Sequence, residues 1–113
     1  SVTINDMYPV VNNSHDACTE AVVSLAKTEL TAGVSDGVAG GLLPMMGAED
    51  FSYFLMAEHG GKPGCFFFLG GGEEGRSNAI CHATNYDYND NLIDIGVRFW
   101  IRLVEERLGV ALF

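Results

Sequence analysis

The segment Pro63-Gly64-Cys65-Phe66-Phe67-Phe68-Leu69-Gly70-Gly71-Gly72 bears most directly on the fold class. Its apolar run, Cys65 to Leu69, is short and unbroken, with glycine-bearing turns on either side. An alternating pattern would mean one wet face, whereas a continuous run means that both faces are covered. Read this way, the run is the central strand of a sheet covered by helices.

The flanking sequence fits that expectation. Glu49-Asp50-Phe51 opens a helix with acids in its first turn, where the helix dipole favours them. Gly60-Gly61 closes it, as glycine does at helix C-termini. Residues 31–47 are rich in glycine and carry Pro44; within them residues 38–43 suggest a short strand. Further upstream, Cys18, Ala21, Val22, Leu25 and Leu30 fall near one face of a 3.6-residue period, and Glu20, Lys27 and Glu29 fall elsewhere. That pattern predicts an amphipathic helix over residues 17–30, capped from Asn12-Asn13-Ser14. At the start, Val2-Thr3-Ile4-Asn5 alternates like a half-buried strand, and Tyr8-Pro9 should end it.

Downstream of the apolar run, residues 73–78 read as a polar loop. After Asn89-Asp90-Asn91 comes the clearest helix, residues 92–108, with Leu92, Ile95, Phe99 and Leu103 repeating on one face. Trp100 and Val104 widen that face, and Gly109 ends it. Strands alternating with helices predict an α/β domain with helices on a mixed sheet.

A chain of 113 residues suits one compact domain, and 48% hydrophobic residues imply a core. Six basic against fifteen acidic residues give a net charge of −9. This balance argues against nucleic acid and anionic membranes as partners, since both are bound through Lys and Arg. Cys18, Cys65 and Cys81 are odd in number and lack CxxC spacing, which suggests buried reduced thiols in a cytoplasmic protein. No apolar run has the length of a membrane span. Ser1 opens on what reads as mid-strand, so the chain is expected to be a piece of a longer protein.

Three histidines are present. His15 lies among polar neighbours at a predicted helix start and is expected to be solvated; His59 should sit in a last helical turn, where imidazole suits the dipole. His82 follows Ile80-Cys81 at the edge of an apolar stretch, with Asp87 and Asp90 nearby. Imidazole suits zinc, nickel and similar ions, and carboxylates complete such sites or orient the ring. On the residues alone, a buried histidine bonded to a backbone carbonyl is the more frequent arrangement. Met46-Gly47-Ala48-Glu49-Asp50-Phe51 is a glycine turn entering a helix, whose N–H groups can hold a carboxylate or oxyanion. An ordinary capped helix start explains it as well. Gly70-Gly71-Gly72 matches no phosphate-binding pattern, and Glu73-Glu74 would repel phosphate.

Three blocks together resemble one family. Met46-Gly47-Ala48-Glu49-Asp50-Phe51-Ser52 is similar to its MG-[AS]-EDF block, and Pro63-Gly64-Cys65-Phe66-Phe67-Phe68-Leu69-Gly70 to its PG-x-F-x-x-LG block. His82-Ala83-Thr84-Asn85-Tyr86-Asp87-Tyr88-Asn89-Asp90 is similar to its HxPxYDFND block, with Trp100 following. The order and spacing over residues 44–104 make the match specific. Tyr8-Pro9-Val10-Val11-Asn12 also resembles the family's return from a small dimerisation domain.

The family is that of the metal-dependent amidohydrolases and peptidases, which includes aminoacylase, hippurate hydrolase and the auxin-conjugate hydrolases. The resemblance implies a three-layer αβα catalytic domain with a mixed sheet over residues 12–113, and the last strand of an inserted dimerisation domain over residues 1–11. It implies two divalent ions (Zn, Mn, Co or Ni), water attacking the amide bond of an N-acyl amino acid or small peptide, and a homodimeric full-length enzyme. By position, His82 matches the family's last metal ligand, and Gly47, Ala48 and Glu49 match a loop bordering the substrate pocket. No catalytic residue is expected in this piece, whose remaining ligands and general base would lie upstream. Thr84 stands where the family usually has proline and Cys81 where it has leucine, which puts the rigidity of that loop in question. The contrasting expectation is a free-standing, non-catalytic α/β binding or assembly module.

Overall fold

The computed structural model describes residues 1–5, 7–30, 47–76 and 79–112. Among these residues three α-helices form in chain order: α1 (Asp16–Glu29), α2 (Ser52–Leu55) and α3 (Leu92–Leu108), with a 3₁₀ turn, Ala57–His59, after α2. The chain divides into two compact units, Ser1–Phe66 and Phe67–Phe113. No helix among the described residues is long and apolar enough to cross a membrane.

The expected mixed sheet does not form among the described residues. Among the described residues there is no strand, so the α/β, three-layer assignment is overturned in favour of a helical architecture. A strand exists only through a partner's ladder of hydrogen bonds, and among the described residues neither apolar segment forms one. Val2 and Ile4 are 90% and 86% exposed, so their alternation buries neither face. The run 65–69 is divided between the units. In the first, the Phe66 ring lies 5.6 Å from Phe51; in the second, Phe67 lies 5.4 Å from Phe99 and 5.6 Å from Trp100. Phe68 is 70% exposed, so the unbroken run does not have both faces covered. The possible strand over residues 38–43 lies outside the described residues.

In the first unit, α1 buries Val22, Leu25 and Ala26, the stripe that a 3.6-residue period places on one face. His15 occupies its N-cap, where no side chain caps the helix. The expected capping residue Asn13 is engaged elsewhere: its Nδ2 donates to the Phe66 carbonyl at 2.8 Å and its Oδ1 accepts the Phe66 N–H at 2.8 Å. One side-chain amide thus satisfies both backbone groups that a neighbouring strand would have paired.

The helix expected from Glu49 to the Gly60-Gly61 stop forms only in part. It breaks at Met56, whose backbone is extended, and resumes as the 3₁₀ turn ending at Gly60 with φ +72°. The chain then folds back on α2: Gly61 N–H donates to Met56 O at 2.9 Å and Lys62 N–H to Phe54 O at 2.7 Å. A Cβ on Gly61 would stand 2.6 Å from the Leu55 carbonyl oxygen, so the return requires glycine there. Leu55 is buried over Gly64, a burial that stabilises by about 2 kcal/mol.

In the second unit, α3 has the bounds its periodicity predicts and buries Phe99. Asp94 and Arg98 pair at 2.8 Å with i,i+4 spacing, although both are exposed. The end of the helix is tied by the buried Glu105, whose Oε2 pairs with Arg102 Nη1 at 2.7 Å and whose Oε1 accepts the Leu112 N–H at 2.6 Å. Gly109 takes φ +66°, and Val110 N–H closes the turn on the Glu105 carbonyl at 3.1 Å.

Candidate functional site

The connection from Gly70 to α3 carries His82. Its C-terminal end is fixed by Asn89, whose side chain is buried: Oδ1 accepts the Asn91 N–H at 3.2 Å and Nδ2 donates to the Gly71 carbonyl at 3.4 Å. This is an Asx turn leading into a helix, for which short amide side chains are suited. Arg76 adds a second tie. Its Nη2 lies 2.7 Å from Asp87 Oδ2 and 3.2 Å from the Tyr88 carbonyl, and its Nη1 lies 3.7 Å from Glu73 Oε2.

Between these ties the backbone makes two tight turns, closed by Ala83 N–H to Ile80 O at 3.1 Å and by Tyr86 N–H to Ala83 O at 3.0 Å. In the first turn His82 has φ +72°, the one positive φ outside glycine among the described residues. Cys81 before it has none, so the turn is type II with histidine at the position that normally takes glycine. An L-residue in this region costs roughly 1–2 kcal/mol, though histidine visits it more readily than most. The cost is local and the imidazole is exposed. His82 is thus not the buried, carbonyl-bonded histidine of the plainer expectation.

Of the nearby acids, Asp87 is ion-paired to Arg76 and Asp90 is exposed at the entry to α3. A hydrogen bond to Cys81 raises the Tyr86 phenol above its ordinary range. Among the described residues no three His, Cys, Asp or Glu side chains gather as a metal site. As a test of fit, the donor chemistry is that of one ligand: an exposed imidazole suits a divalent transition ion, while its closest acid in the block serves an arginine.

The other candidate lies in the first unit. Gly47, Ala48 and Glu49 are all exposed. Ser52 N–H bonds the Glu49 carbonyl at 3.1 Å, and Asp50 N–H donates to Glu49 Oε1 at 3.1 Å. The Glu49 side chain therefore occupies one of the donors that the sequence offered to a ligand. Its carboxyl is raised from the ordinary range, first by a hydrogen bond shared with Asp50 and also by that neighbour's charge. These residues and His82 are carried by different units.

The other two histidines divide. His59 packs edge-on to Tyr53 at 5.1 Å and lies 3.9 Å from Glu58 at the end of the 3₁₀ turn. His15, expected to be solvated, is half-buried, with Nε2 shielded and without a hydrogen bond among the described residues; the Ser52 hydroxyl is likewise buried and unpartnered. The cysteines are free, but Cys18 and Cys65 are only half-buried and Cys81 is exposed, against the expectation of buried thiols. Burial pushes the Cys65 thiol up. Sequence reasoning passed over Arg76; its isolation as a cation between Glu73-Glu74 and Asp87 was the available signal.

The sequence model of peptidase family M20/M25/M40 matches residues 1–106 of the 113. No curated protein and no solved structure matches the chain.

Proposed function

This chain belongs to peptidase family M20/M25/M40, and on that premise we propose that it supplies one metal ligand, His82, to a hydrolase with two divalent ions. The substrate class is the amide bond of N-acyl amino acids, hippurate-like, or of small peptides. The observation that carries the reading is the His82 turn: an exposed imidazole on a backbone strained to positive φ. Strain of this kind persists where surrounding structure over-determines it, and it collects at functional sites.

Divalent ions, when bound, polarise the scissile carbonyl and activate water. The work of this chain is to present a ring nitrogen lone pair from a preset turn, which requires the neutral imidazole. On this reading Asp87 is not a ligand: it pairs with Arg76, which also bonds the Tyr88 carbonyl. Gly47, Ala48 and Glu49 border the substrate pocket on this reading, supported by their similarity to the family's block. Residues 1–11 belong on the same reading to a small pairing domain, with residues 12–113 in the catalytic domain and the full-length enzyme a homodimer.

Catalytic metal centres normally use three protein ligands, and the described residues bring no three donors together. The 113-residue chain alone should therefore fail to hydrolyse hippurate or N-acetyl amino acids with added zinc or manganese. Metal-dependent turnover above background would overturn the shared-site reading.

A further inference from the structure

We propose that Arg76 is the positioning residue that holds His82 in its left-handed turn, an inference that rests on the assignment of His82 as a ligand. The Arg76 guanidinium grips the far side of the His82 loop at two kinds of acceptor. Nη2 meets a side-chain oxygen, Asp87 Oδ2 at 2.7 Å, and a main-chain oxygen, the Tyr88 carbonyl at 3.2 Å. The second contact matters more than the first. Asp87 is 72% exposed, and a pair with such a side chain is free to rearrange in water. A bond to the Tyr88 carbonyl fixes the backbone itself.

Tyr88 directly precedes Asn89, which is buried and bonded to the Gly71 carbonyl at 3.4 Å. The arginine and the asparagine thus clamp the same end of the loop to the chain that leads into it. Before that fixed end, residues 80–86 are drawn into two tight turns, and among the described residues outside glycine His82 is the one that takes the positive φ. Arginine is suited to this role because one planar fork offers several donors in fixed directions, which lysine lacks. Removing a group bonded directly to a metal ligand typically lowers affinity about 10- to 100-fold; Arg76 acts through the loop backbone, one step further out, so the low end of that range is expected.

Two measurements test the inference. In the 113-residue chain, positive φ at His82 gives a strong intraresidue amide-to-Hα NOE. This signature should be lost in Arg76→Met, remain in part in Arg76→Lys, and weaken in Asp87→Asn, with the melting temperature measured for each. In the full-length protein loaded with zinc, Arg76→Met should raise the metal dissociation constant roughly tenfold, with Arg76→Lys between it and wild type. An unchanged NOE in both Arg76→Met and Asp87→Asn overturns the inference, as does a lost NOE with unchanged zinc affinity. If Arg76→Met unfolds, Arg76→Lys decides by the same criteria. His82→Ala separates the two ideas. If it retains zinc, the ligand assignment fails whatever Arg76 does; if it loses zinc while both clasp variants bind as wild type, only the inference fails.

Discussion

Replacing His82 by glycine should make the metal-free chain more stable while removing its proposed donor. The type II turn puts His82 at φ +72°, which costs an L-residue roughly 1–2 kcal/mol. Histidine tolerates the region better than most, so the cost here lies near 1 kcal/mol. Glycine has no such penalty, but its looser unfolded chain offsets roughly 0.5 kcal/mol of the gain. The imidazole is exposed, so its loss uncovers no apolar surface. The net expectation for His82→Gly is a gain of about 0.5 kcal/mol. His82→Ala keeps the strain and loses histidine's local tolerance, so it should fall about 0.5 kcal/mol below wild type. The two variants then differ by about 1 kcal/mol, or about 4 °C in melting temperature for a chain near this size. Urea unfolding of all three proteins without metal measures the order directly. A glycine variant no more stable than the alanine variant would falsify the claim that His82 is strained.

Three further outcomes follow from the first unit and the thiols. Asn13→Ala should cost about 2 kcal/mol by urea unfolding, since two part-buried bonds to Phe66 are lost; a loss under about 0.5 kcal/mol would show that water replaces the amide. Gly61→Ala should destabilise by about 2 kcal/mol or more, because its Cβ meets the Leu55 and Met56 backbone at 2.6–2.7 Å; an unchanged melting temperature would mean that the turn relaxes freely. Alkylation with iodoacetamide at neutral pH, followed by mass spectrometry, should label exposed Cys81 before half-buried Cys65, whose thiol is raised by burial; the reverse order would contradict that placement.

The helices were legible where the signals were local. Residues 17–30 and 92–108 matched α1 and α3 because a 3.6-residue apolar period and, for α3, a closing glycine are contained in the helix itself. The sheet was misread because alternation and apolar runs state only what a strand would look like if partners existed. Val2 to Asn5 has the pattern without a strand partner among the described residues, and Phe66 meets a side-chain amide. The second helix was overextended because nothing local announces the return of Gly61 and Lys62 onto Met56 and Phe54. At the candidate site, the residue type and its neighbours singled out His82. Its left-handed backbone could not be read, since positive φ at a non-glycine position is imposed by surrounding ties such as Arg76 and Asn89.

On the proposed reading, this chain contributes His82 to the metal centre of a hydrolase. Metal content per protomer, measured by mass spectrometry on the purified full-length protein and its His82→Ala variant, tests it most directly. The variant should lose bound metal and most hydrolysis of N-acyl amino acids, while its metal-free melting temperature falls by no more than about 2 °C. A variant that keeps its full complement of metal and its activity would contradict the account, because His82 would then be a turn residue and nothing more.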